Sequence, residues 1–86
     1  MSQQLYPNTI YNMAYTLERT KGVIAWGLKN PTELEVVSNE TGKAVSEIEQ
    51  ILKDPDFHTK MLQPDSEYKT IYNEVLTLEL CSLLGL

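Results

Sequence analysis

PTELEVVSNETGKAVSEIEQILKDPDFHTKM, residues 31–61, decides the fold of this 86-residue chain. Gly42 divides it into two short runs with apolar residues at helical spacing: Val37 before the glycine, Ile48 and Ile51 after it. That spacing lets two helices pack across a tight turn, as in a helix–turn–helix unit. Asn30-Pro31-Thr32-Glu33 is a helix start: Asn30 suits the N-cap, Pro31 the first helical position, and Glu33 can bond back to the cap. The helix runs to about Thr41 and stops at Gly42, which takes the left-handed conformation at least cost. A second helix is expected from about Val45 to Lys53. Asp54-Pro55 repeats the cap-then-proline signal and opens a short helix with Phe57 and Met61 facing inward.

Working outward, Asn8 can cap a first helix in which Ile10, Met13, Ala14 and Leu17 recur on one face. That helix either ends near Lys21-Gly22 or continues, bent, through Val23, Ile24, Trp26 and Leu28. The glycines at 22 and 27 weaken it without forbidding it. Pro64 breaks the short helix, and Asp65 or Ser66 caps the last one, about 66–84. There Tyr68, Ile71, Val75 and Leu78 form one stripe, and Tyr72, Leu76, Leu80 and Leu83 form a second beside it. Together they cover roughly 200° of the helix, against about 100° for a face meeting one core. The helix is therefore either central in a bundle or shared with another subunit. The small size of the chain favours sharing, with Tyr72, Leu76, Leu80 and Leu83 as the oligomer interface. The expected fold is all-α: a single domain over 1–86, a small bundle of four to five helices with a C-terminal assembly helix.

Composition narrows the function. One Cys and one His provide no disulfide and no Cys/His metal framework, so Cys81 reads as a buried, reduced thiol and no metal or cofactor is expected. His58 reads as a surface residue. No nucleophile stands beside a histidine in a recognisable motif, so no catalytic residue is assigned and the chain is expected not to be an enzyme. No apolar run suits a membrane span and no signal peptide is evident; the expected location is the cytoplasm. The net charge is −5 and uneven. Residues 1–30 hold three basic residues against Glu18, whereas 31–62 hold seven acids against three lysines and 63–86 hold four acids against Lys69. An anion would meet the N-terminal third, where Tyr11, Tyr15 and Arg19 follow one another every fourth residue, with Lys21 and Trp26 after them. Rings beside cations suit a nucleotide, stacking its base and pairing its phosphate. The competing reading makes the tyrosines packing residues and pairs Arg19 with an acid. No glycine-rich phosphate loop accompanies the cluster.

The string ETGKAVSEIEQILKDPDF, residues 40–57, resembles the helix–turn–helix of phage small terminase subunits and related phage DNA-binding proteins. The resemblance covers residues 31–62. It implies a non-enzymatic, oligomeric phage protein in the host cytoplasm, with Lys43, Ser46, Gln50 and Lys53 as DNA contacts. Glu47 and Glu49 stand on that same helix, and carboxylates near phosphates oppose binding. The expectation is therefore a small helical, oligomeric binding protein. It would act by sequestering or blocking a partner: a host protein, or a small anionic or nucleotide ligand held by the N-terminal third. The alternative is a helix–turn–helix DNA-binding protein, a packaging subunit or regulator.

Overall fold

The computed structural model describes residues 15–85. Among these residues five helices follow one another: α1 (Leu17–Lys29), α2 (Pro31–Thr41), α3 (Val45–Leu52), α4 (Phe57–Met61) and α5 (Glu67–Leu84). No strand occurs among the described residues, so the all-α expectation holds. The longest helix, α5, packs against α1, α2 and α4, and α2 packs on α3. One hydrophobic cluster holds them together: Val23 from α1, Leu34 and Val37 from α2, Ile48, Ile51 and Leu52 from α3, Phe57 and Met61 from α4, and Ile71, Tyr72 and Val75 from α5. Val37, Ile48, Ile51, Phe57 and Met61 are the inward residues that the sequence assigns.

The helix ends follow local chemistry, not always as expected. Gly42 takes φ 78° and ends α2, its N–H bonding to the Ser38 carbonyl. A side chain there would strain the left-handed turn. Asn30 precedes α2 but makes no side-chain cap to it. Its Nδ2 donates backward to the Trp26 carbonyl at 2.8 Å, closing the end of α1 instead. Asp54 does not start a helix at Pro55: its carboxylate accepts the Asp56 N–H at 2.8 Å in a local turn, and α4 begins only at Phe57. Ser66 is the cap of α5, accepting the Tyr68 N–H. Thr16 caps α1 through the Arg19 N–H. The expected Asn8 cap, with Ile10, Met13 and Ala14, lies outside the described residues.

From its cap onward α1 is a single helix across both glycines. Gly27 is a point of close approach, since a β-carbon there would lie 3.1 Å from Val75 Cγ1 and 3.3 Å from Leu52 Cδ1. Its missing side chain lets α1 settle onto α3 and α5. Leu17, expected on the core face, is half exposed, and Thr20, Val23 and Gly27 face inward instead. Cys81, expected buried, is only partly covered.

Candidate functional site

The apolar face of α5 contains one carboxylate. Ile71, Tyr72, Val75 and Glu79 are its buried residues, spaced so that all four share one side of the helix. A carboxylate in such a place needs a cation. Arg19 on α1 supplies it, with one guanidinium nitrogen 2.6 Å from Glu79 Oε1 and the other 3.4 Å from Oε2. Glu79 keeps 10% of its side chain exposed and Arg19 31%. Such a bidentate pair fixes direction as well as charge.

One turn before Arg19, Tyr15 is held from several sides. Its hydroxyl donates to Asn73 Oδ1 at 2.9 Å, and its carbonyl lies 2.8 Å from His58 Nε2. Its ring sits 5.5 Å from that of Tyr72, with the Lys69 ammonium 5.6 Å from its centroid. Tyr72, Phe57 and Tyr68 continue the aromatic row beneath. Burial pushes the Tyr72 phenol above its ordinary range, a shift eased by its hydrogen bond with Thr20. His58 is thus half buried in the seam rather than on the surface.

Of the residues proposed to hold an anion, Tyr15 and Arg19 come together, and each faces α5. Trp26 shares their side of α1, being seven residues beyond Arg19, and is half buried against the core. Lys21 is two residues from Arg19, on the far side, and exposed. Tyr11 lies outside the described residues. No cavity is found among the described residues, and no group of His, Cys, Asp and Glu there has metal-binding geometry.

The proposed DNA-contact residues divide similarly. Ser46, Gln50 and Lys53 are exposed. Lys43 is clamped, 2.7 Å from Glu67 at the start of α5 and 3.6 Å from Glu47. The hydrogen bond to Glu67 raises its pKa above the usual lysine value. The turn holding Lys43 is itself closed by the Ser38 hydroxyl, which donates to the Lys43 carbonyl at 2.6 Å.

A further network was not visible in the sequence. Asp54 accepts from Lys60 at 2.6 Å and from the Tyr68 hydroxyl at 2.7 Å. These bonds, Lys60's foremost, with that of the Asp56 N–H, hold the Asp54 carboxyl down to about 2. The signal for Glu79 was present in the sequence, as a carboxylate in phase with Ile71, Tyr72 and Val75. For Asp54 and Lys60 nothing in the spacing singled out Tyr68.

The proposed interface residues also separate. Tyr72 is fully buried in the core of its own chain, so it is no part of an outer stripe. Leu76 is half buried against that core. Leu80 and Leu83 face outward, 43% and 71% exposed, with Leu84 beside them at 71%.

The fold and these networks define a small all-α helical bundle whose aromatic and basic side chains join its helices. No protein-family profile matches the chain, and no curated protein or solved structure matches it. No helix of the described residues is long and apolar enough to cross a membrane.

Proposed function

We propose that this chain is a non-enzymatic helical binding protein that acts by occupying a protein partner. With Lys21, Lys29 and Lys53 exposed, the observation that carries the reading is the engagement of the cations seated between helices: Arg19 with Glu79, Lys43 with Glu67 and Glu47, Lys60 with Asp54. A phosphate would have to displace a carboxylate already in hydrogen-bonding contact, which removes most of its electrostatic advantage. What faces outward besides the exposed lysines is an excess of carboxylates and a leucine-rich helix end, the equipment of protein contact.

A second reading is DNA binding by α2 and α3, as the resemblance to phage small terminase subunits suggests. The left-handed turn at Gly42 and the outward Ser46, Gln50 and Lys53 favour it. The exposed Glu47 and the clamped Lys43 oppose it.

Fluorescence anisotropy with a labelled duplex at low salt separates the two, since non-specific affinity is greatest there. The expected result is no binding at roughly tens of micromolar protein. Binding that Lys53→Glu abolishes would replace protein contact with DNA contact. A nucleotide screen by thermal shift covers the small-ligand version. A ligand at about a hundred times its Kd stabilises by about 2.7 kcal/mol, and no nucleotide is expected to do so.

A further inference from the structure

We infer that the last two turns of α5 dock a second copy of this chain, helix beside helix and antiparallel, with Leu80 at the twofold axis. The inference rests on the reading that the chain acts through protein contacts, and it names the partner at one face. Leu76, Leu80 and Leu83 are four and three residues apart, the spacing of a helix–helix seam. Leu80 and Leu83 expose 43% and 71% of their surface, and Leu84 flanks them. Contacts from α1 and from Tyr15 just before it fall on earlier residues of α5: Tyr72, Asn73, Val75 and Glu79.

Charge selects the occupant. The stretch 80–85 carries no ionisable group except the Cys81 thiol, in a chain of net charge −5. A basic partner would find no carboxylate at this face, because Glu79 is committed to Arg19. An anionic bilayer would find no cation at the leucines themselves, because the last turn of α5 holds no basic residue. A second copy offers an uncharged leucine stripe that complements itself, and joins two acidic chains where neither presents charge.

The direction follows from the helix dipole. In an antiparallel pair each negative C-terminal end lies beside the middle of the other helix, whereas a parallel pair sets both ends together. The stripe from Leu76 to Leu83 spans about 10 Å, so with Leu80 on the axis, Leu76 of one copy lies across from Leu84 of the other, with Leu83 beside it. The exposed leucines make a patch on the order of 300 Å², less than half the roughly 800 Å² each partner gives to a standard interface. The dimer is therefore weak and concentration-dependent.

Sedimentation velocity across a concentration series tests this, reaching on the order of 500 μM chain because weak interfaces need it. The wild type is expected to pass from monomer to dimer. Leu80→Glu and Leu83→Glu, each alone, are expected to raise the dissociation constant roughly thirtyfold or more. Both sites are exposed, so the circular-dichroism melting curve of dilute protein should not move. A wild type that stays monomeric throughout overturns the inference, as does a dimer that survives both substitutions. Co-sedimentation with phosphatidylserine vesicles that either substitution abolishes would assign the face to a membrane and also overturn it. A melting point that falls with Leu83→Glu in a monomeric wild type would mean the chain covers the face itself. Failure of the broader protein-contact reading appears instead as DNA or nucleotide binding, which anisotropy and thermal shift report independently of mass.

Discussion

The two ends of α5 both carry large apolar residues at helical spacing and have different employment. From Tyr68 to Glu79 the helix serves the monomer: Ile71, Tyr72 and Val75 are buried, and Tyr68, Asn73 and Glu79 hold partners on other segments. From Leu80 to Leu84 the leucines at 80, 83 and 84 face outward. The change occurs at Glu79, where Arg19 reaches α5 from α1. Hydrophobicity is thus a poor guide to where a core ends. The reach of the neighbouring helices decides it.

The largest test of this contrast is a pair of truncations. Tyr72→Ala should cost about 3–5 kcal/mol in urea denaturation, because it removes a buried ring from the centre of the aromatic row. Leu83→Ala in dilute protein should stay within about 0.5 kcal/mol of wild type. Equal costs would erase the distinction between the two ends.

The glycines of α1 sharpen the contrast on the facing helix. Gly27→Ala should destabilise by about 1 kcal/mol, overpacking against Val75 and Leu52 outweighing the gain in helix propensity. Gly22→Ala should stabilise by about 0.5–1 kcal/mol, since among the described residues its β-carbon would meet only Arg19 Nη1, at 3.8 Å. Thermal unfolding of both variants reads the sign directly.

The smallest effect concerns pH. Asp54 has a pKa of about 2 in the folded chain against 3.8 as its ordinary value. Its contribution to stability is therefore present above pH 3.8 and lost as pH falls toward 2. The stability gap between wild type and Asp54→Asn should close over that interval. A gap independent of pH would mean that the bonds from Lys60 and Tyr68 do not form in solution.

How much of this was legible in the sequence depends on the kind of information. The turn at Gly42 and the inward residues Val37, Ile48, Ile51, Phe57 and Met61 follow from period and glycine placement, which are local. The division of α5 was not legible, because period assigns residues to faces but not faces to neighbours. Tyr72 and Leu76 share a stripe by spacing, and only the packing of the other helices separates them. Asn30 illustrates a different limit: a side chain between two helices can close either one, and here it bonds back to Trp26. Arg19 and Tyr15 were recognised as a cluster, but their partners Glu79 and Asn73 lie far along the chain. By sequence alone Glu79 is one carboxylate among the apolar residues of the last helix. It is the residue that commits Arg19 to the fold.

That commitment is the central claim, and a double-mutant cycle of Arg19→Met and Glu79→Leu tests it most directly. Arg19→Met alone should cost about 2–3 kcal/mol. That is less than the ~3–5 of a fully buried pair, because Arg19 keeps 31% of its side chain exposed. The double variant should return to within about 1 kcal/mol of wild type, with a coupling energy near 2 kcal/mol. An Arg19→Met variant as stable as wild type, with no coupling to Glu79, would contradict the account and return Arg19 to the pool of groups open to an anionic ligand.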